Sequence, residues 1–323
     1  MAIIFEFEIG SRIHFGLAFG ERFGMPVSNN RVYLPNYLGN GFIQEVFLDE
    51  ELSFCFHQYQ LGQDFILKQL GSNAASDFLT LKFGSTRVTM DGEGRDLLLF
   101  APGCEAELGT GNFFSEVFFP ADQEISFLVI NISRRLLVNI LKPEVDGSQL
   151  FTGLLISSSF LVNAPMSAEM ERLVKGFGTI QPNTPLSHLS YLIKIYEITF
   201  QLFSSMSERS IDPGVNISRP DVNKLYEVRS AIIHDLSKTP NLTALAKKAA
   251  MSPTKMKMLF RHLFGSTIYN YFQAARMNEA AKLLKDLSVT EAGYRLGFTN
   301  MSHFSRVFEK YFKLKPKKYK NQL

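Results

Sequence analysis

Residues 242–263, LTALAKKAAMSPTKMKMLFRHL, return in altered form as residues 289–311, VTEAGYRLGFTNMSHFSRVFEKY. The opening segments of the two copies align at an offset of 47 and the closing segments at 48, so one residue is inserted after the turn. Each copy begins with a short helical segment carrying a small residue where a second helix must cross closely, Ala246 in one and Gly293 in the other. A tight turn follows, Ala249-Ala250-Met251 or Leu296-Gly297-Phe298. Then comes a segment with apolar residues at i, i+3, i+4 and i+7: Met256, Leu259, Phe260 and Leu263, or Phe304, Val307, Phe308 and Tyr311. Ser252 and Asn300 stand where an N-cap starts that second helix. The pattern is a tandem of helix-turn-helix units. The outer face of each second helix is left to enter a DNA major groove, about 12 Å wide.

Between the copies, Tyr271, Phe272, Ala275, Ala280, Leu283 and Leu284 keep a helical period over residues 268–285. A helix of that length spans roughly 25 Å at ~1.5 Å per residue. With the flanking units added, the two recognition helices can reach successive major grooves, about 34 Å apart, on one face of DNA.

Charge divides the chain at the same place. Residues 1–218 carry 14 Lys+Arg against 24 Asp+Glu, a formal −10; residues 219–323 carry 20 against 7, a formal +13. A basic C-terminal third has the electrostatic character of a nucleic-acid binder, and the acidic remainder must serve another partner. The polar, turn-forming stretch 207–220, with Asp212-Pro213-Gly214 and Ser218-Arg219-Pro220, reads as the linker between them.

Upstream, period-two alternation predicts short strands. Phe5, Phe7 and Ile9 alternate with glutamates; Leu52, Phe54 and Phe56 alternate with Ser53, Cys55 and His57. Similar runs lie at 78–83, 97–100, 113–119 and 125–132, separated by Asn29-Asn30, Gly92-Glu93-Gly94 and Pro102-Gly103. Many short antiparallel strands imply a small barrel or sandwich. The 30 phenylalanines imply a core packed with rings. The period then lengthens: Leu189, Leu192, Ile193, Tyr196, Phe200, Phe203 and Met206 lie on one face of a helix over 187–207, paired with a shorter one over 168–177. That stripe either packs on its own barrel or forms a dimer seam.

The two cysteines, Cys55 and Cys104, are far apart and lack metal-like spacing, which fits a reducing compartment. No secretory leader pattern and no run of about 18 apolar residues occurs, so the expectation is a cytoplasmic protein without membrane contact. His14 and His57 are the only histidines before His188, and no His-x-His pair with a following Glu exists to hold a cupin metal. Pro102-Gly103 resembles a cupin turn without the histidine that should follow, and no nucleophile elbow is present. Neither catalytic residues, metal nor cofactor is expected.

The tandem, the linker helix with Arg276, Ala280 and Leu283-Leu284, then Gly297-Phe298, Phe304-Ser305-Arg306 and Phe308, closing on Pro316 and Tyr319, resembles the AraC/XylS family of bacterial regulators over residues 222–320. The resemblance implies an α+β chain. It divides into a cupin-like β-barrel sensor at 1–160, a helical hairpin for dimerisation and linkage at 161–215, and an all-α tandem helix-turn-helix domain at 216–323. It implies a ligand-responsive activator working with double-stranded DNA, RNA polymerase and a small-molecule effector, as a homodimer. The layout also resembles the PchR-like subset, whose members sense siderophores. A cupin-type enzyme tethered to DNA is the competing reading.

Carried over by motif position, the groove-facing residues of the first recognition helix are Thr254, Lys255, Lys257, Met258 and Arg261, after Ser252. In the second they are Met301, Ser302, Ser305 and Arg306, after Asn300. Arg306 offers a planar fork to guanine or a cation to phosphate, and both roles stay open. Lys255, Lys257 and Arg261 suit phosphates. Lys310, Lys317, Lys318 and Lys320 form a basic edge. Three positions depart from the family's pattern: Gly293 for alanine, Ala250 for the first turn's glycine, and Lys313 for a glycine before the closing proline.

Overall fold

The computed structural model describes residues 2–9, 15–71, 77–90, 96–110, 116–142, 161–206 and 217–321. The chain divides into two compact units, Met1–Val222 and Asn223–Leu323. The first is a mixed sheet with helices and the second is all helix, so the chain is α+β.

Among the described residues, eleven strands form the sheet: β1 (Ile3–Ile9), β2 (Val27–Ser28), β3 (Arg31–Tyr33), β4 (Gly39–Phe47), β5 (Leu52–Leu61), β6 (Phe65–Gly71), β7 (Phe78–Met90), β8 (Asp96–Thr110), β9 (Glu116–Phe119), β10 (Glu124–Ser133) and β11 (Leu161–Pro165). They run in the order β1-β6-β9-β8-β7-β10-β5-β4-β3-β2, with β11 added to β8. β1 is parallel to β6 and β9 to β8; the other ladders are antiparallel.

The alternation seen at Leu52–His57 becomes two cores on opposite faces. Phe54 and Phe56 of β5, Leu79, Leu81 and Phe83 of β7 and Leu128, Ile130 and Ile132 of β10 face the helices α3 (Ala168–Gly178) and α4 (Ser187–Met206). Cys55 and Tyr59 of β5, Phe127 of β10 and Ile43 of β4 face the other way, into rings from Phe5, Phe7, Phe65 and Phe119. This is where the phenylalanine-rich composition goes.

The expected closed barrel is not what forms. The ladder's ends, β1 and β2, do not pair with each other among the described residues. Helix α1 (Phe15–Arg22) lies between them and closes the gap with side chains. Phe15 and Phe19 set their rings edge-on to Phe5 of β1 at 5.8 and 5.3 Å, and both belong to the same core as Val32 of β3. The Glu45 carboxylate on β4 accepts the N–H groups of Phe15 and Gly16 at the start of α1, at 3.0 and 3.1 Å. Burial pushes the Glu45 pKa up to about 7, against the lowering effect of those N–H groups.

His57 is 3% exposed. It stacks on Phe127 at 4.0 Å, with Nε2 3.2 Å from Cys55 Sγ. Burial pulls its pKa down to about 3. His14 and the Gly92-Glu93-Gly94 turn lie outside the described residues. No group of three or more His, Cys, Asp or Glu able to hold a metal occurs among the described residues.

Three further expectations change. Pro102-Gly103 is not a turn: β8 runs through it, and the register with β7 shifts from Phe83↔Ala106 to Ser85↔Ala101. Proline lacks a ladder donor, so it sits at this irregularity. Ser218-Arg219-Pro220 is not linker but the start of helix α5 (Arg219–His234), with Ser218 O accepting Val222 N–H at 2.9 Å. The α4 stripe splits instead of facing one way. Tyr191, Ile195, Ile198, Leu202, Phe203 and Met206 are buried on the sheet, whereas Leu189, Ile193, Tyr196 and Phe200 are 43–68% exposed. Helix α2 (Arg134–Leu141) follows β10, capped by Ser133. A buried relay ties the hairpin to the sheet: Arg31 donates to Gln44 Oε1 at 3.0 Å and to Ile180 O at 2.9 Å, and Gln44 donates to Tyr191 Oη at 2.6 Å.

No helix among the described residues is long and apolar enough to cross a membrane.

Candidate nucleic-acid interface

The second unit continues from α5 through α6 (Leu242–Lys248), α7 (Pro253–Phe264), α8 (Ile268–Leu283), α9 (Val289–Arg295), α10 (Met301–Phe312) and α11 (Pro316–Lys320). The repeat is therefore α6–α7 and α9–α10, joined by α8.

Each short helix is built to start and stop. Asn241 Oδ1 accepts the N–H groups of Thr243 and Ala244, both at 3.0 Å, to open α6. Ser288 and Glu291 form a reciprocal capping box that opens α9. Both turns then close by the same pair of bonds. Met251 N–H donates to Ala246 O at 3.0 Å and Ala250 N–H to Lys247 O at 3.1 Å; Phe298 N–H donates to Gly293 O at 3.0 Å and Gly297 N–H to Tyr294 O at 2.9 Å. This is a Schellman closure, which needs a left-handed residue just past the helix. Ala250 supplies it at φ +48° and Gly297 at φ +76°. Lys313, after α10, holds φ +56°. Two of the three departures from the family's pattern thus place a side chain in left-handed backbone.

The recognition helices start as their sequence implies. Ser252 Oγ accepts Lys255 N–H at 3.2 Å, with Pro253 in the first turn, where no N–H is needed. Asn300 Oδ1 accepts His303 N–H at 3.0 Å. Helix α7 buries Met256, Leu259, Phe260 and Leu263, and α10 buries Phe304 and Phe308. On the outer face of α7, Thr254, Lys255, Lys257, Met258 and Arg261 are all exposed. On α10, Ser302, Arg306 and Lys310 are exposed and Ser305 is half-buried. The spacing that buries one stripe leaves these residues together on the other side.

Met301 departs from this pattern. A Cβ placed on Gly293 would lie 2.7 Å from Met301 Sδ and 3.0 Å from its Cε, so the thioether occupies the notch that the glycine leaves. Lys320 is likewise drawn out of the basic edge, donating to Leu287 O at 2.7 Å.

Two arginines missed as functional by sequence reasoning organise the unit. Arg229 of α5 donates to Tyr271 Oη at 2.6 Å, pinning the leading helix to α8. Arg276 of α8 is 6% exposed; its guanidinium lies 3.9 Å from the centre of the Phe298 ring and donates to Leu296 O. Helix α5 itself also went unread, although Val222, Leu225, Tyr226, Arg229 and Ile232 are buried at helical spacing.

The electrostatic faces differ. Helix α7 presents Lys255, Lys257 and Arg261 with no acidic residue, whereas α10 presents Arg306 and Lys310 beside Glu309.

A helix-turn-helix domain profile matches residues 245–322. The chain is 26% identical over 130 residues to the regulatory protein PchR of Pseudomonas aeruginosa, covering 39% of this chain and 43% of that protein. It is 30% identical over 118 residues to an uncharacterized HTH-type transcriptional regulator in the cgkA 5' region of Pseudoalteromonas carrageenovora, covering 36% of this chain and 69% of that protein. Among solved structures, the DNA-binding domain of AdpA in complex with a target DNA matches with 28% identity and a TM-score of 0.29. That match covers 31% of this chain and 91% of the other.

Proposed function

The chain belongs to the AraC/XylS family of transcriptional regulators, and from that premise we propose that it is a sequence-specific regulator whose helices α7 and α10 enter two major grooves of double-stranded DNA. The observation that carries this reading is the pair of identically closed turns. Each sets a capped helix on the surface with its polar, basic residues outward. Phosphate contact supplies most of the affinity through α7, and Arg306 and Ser302 on α10 contribute base reading. The first unit acts as the sensor of a small-molecule effector, with siderophores the class that the PchR-like resemblance suggests. The protein works as an activator in contact with RNA polymerase in the cytoplasm.

The exposed face of α4 is the homodimer seam. Leu189, Ile193, Tyr196 and Phe200 are spaced 4-3-4, as in the a/d repeat of a coiled coil, and are 43–68% exposed. Such a seam is complementary to itself, which favours a second copy as its occupant.

Selection of bound sequences from random DNA tests the reading. A single enriched motif, with affinity falling steeply as salt rises, is expected from a region of formal charge +13. Absence of any DNA binding at low salt would reject it.

A further inference from the structure

One turn in the second helix-turn-helix is gripped from two distant places in the chain. Arg276 of α8 donates to Leu296 O and covers Phe298. From the other side comes the loop between α5 and α6. Leu236 packs against the cluster formed by Phe298, Phe304 and Phe308. The next residue, Ser237, presses its backbone on Gly297. A Cβ there would overlap the Ser237 carbonyl oxygen and lie 2.8 Å from its carbon. Asp235 holds the loop in shape, its Oδ1 accepting Ser237 N–H at 3.0 Å and Ser237 Oγ–H at 2.5 Å.

The loop that touches the second helix-turn-helix is the one that leads directly into the first. Helix α8 already packs Met277, Ala280 and, at its C-cap, Leu284 into the core of the second helix-turn-helix. The loop adds a direct contact from the side of the first, made 60 residues earlier in the chain, so the second is held at two places instead of one.

We propose that Leu236 and Ser237 form a spacing gauge. Seated on the Gly297 turn, they hold α7 and α10 at one separation and one rotational phase, so that only DNA sites with one half-site spacing are accepted. The proposal rests on the DNA-binding reading above. Moving a half-site by one base pair turns it by about 34° around the helix axis and shifts it by about 3.4 Å. A rigid pair of recognition helices cannot follow that movement, whereas a hinged pair can.

The experiment uses the full-length chain and the motif obtained by selection. Affinity is measured on four duplexes: the selected site, the site with one base pair inserted between half-sites, the site with one removed, and the site with the second half-site scrambled. For the unaltered protein, insertion and removal should each cost at least about tenfold, as much as scrambling, because a misplaced half-site loses its base contacts. In Leu236→Ala and in Gly297→Ala, the insertion penalty should fall below about threefold, with affinity for the first half-site unchanged. Leu236 is only half-buried, so its truncation keeps the reading testable if Gly297→Ala fails to fold.

Three results overturn the gauge. The unaltered protein binds respaced sites within about threefold of the selected one; Leu236→Ala keeps the full spacing penalty; or it lowers affinity for all duplexes by one common factor, as a purely stabilising residue would. Failure to bind any of the four duplexes rejects the DNA-binding reading instead.

Discussion

The two turns have the same hydrogen bonds and opposite tolerance for a side chain, which makes Ala250→Gly and Gly297→Ala a matched pair. Left-handed backbone costs an L-residue roughly 1–2 kcal/mol, and glycine returns part of that by its larger entropy loss on folding. Ala250 is exposed at φ +48°, so removing its methyl group sacrifices no packing. Ala250→Gly should therefore stabilise the helical unit by about 1 kcal/mol. For a domain of this size that raises its midpoint by about 4–8 °C. Gly297→Ala bears the same backbone cost with the opposite sign and adds an overlap with the Ser237 carbonyl. Because that neighbour is backbone and cannot rotate aside, the loss should reach about 3 kcal/mol or more. Urea unfolding followed by far-ultraviolet circular dichroism, with amide exchange at Phe260 and Phe308 to isolate the helical unit, measures both. A destabilised Ala250→Gly, or a Gly297→Ala within about 1 kcal/mol of the parent, would refute the reasoning.

On DNA, Arg306→Ala should cost about 1–3 kcal/mol and relax preference at one base position, whereas Lys257→Ala should weaken all sequences alike and reduce the salt slope by about one; repeat selections with both variants decide between base reading and phosphate contact. Ile193→Glu with Phe200→Glu should give folded monomers by sedimentation, since both side chains are exposed on α4 and neither supports the sheet core. The first unit has two opposed pH dependences. Glu45, with its pKa raised to about 7 from 4.5, contributes stability that is present at low pH and lost as pH rises toward 7. His57, lowered to about 3 from 6.5, contributes stability that is present above pH 6.5 and lost as pH falls toward 3. The slopes oppose one another between pH 4.5 and 6.5; below that the His57 loss continues, joined by a small loss from the carboxylates Glu51 and Glu169, which Arg135 and Arg172 hold below the usual value. His57→Leu should flatten the acid limb between pH 6.5 and about 3 in pH-dependent denaturation, and an unchanged acid limb would exclude His57 as a contributor.

The helical unit was legible because its information is local. The stripe Met256, Leu259, Phe260, Leu263 and its counterpart are set by a 3.6-residue period, and Ser252 and Asn300 cap helices a few residues away. The roles of Arg276 and of Met301 in the Gly293 notch were not legible, because each depends on a partner brought near by folding. In the sheet unit, alternation identified several strands but not their order, since pairing Ile3 with Phe65 has no mark in either segment. Helix α1 went unread for a physical reason: Gly16 and Gly20 depress its propensity, and Phe15 and Phe19 form it by packing on Phe5. That helix is also why a closed barrel was expected and an open ladder found.

The strand ladder has a kinetic consequence. Its first strand waits for a partner 62 residues downstream, and β11 returns across 52 residues to reach β8. The sheet cannot assemble until nearly all of its unit exists, and non-local pairing of this kind closes in milliseconds to seconds. Helices such as α7 and α10 form from neighbours in microseconds. The unit that leaves the ribosome first is therefore the unit that matures last.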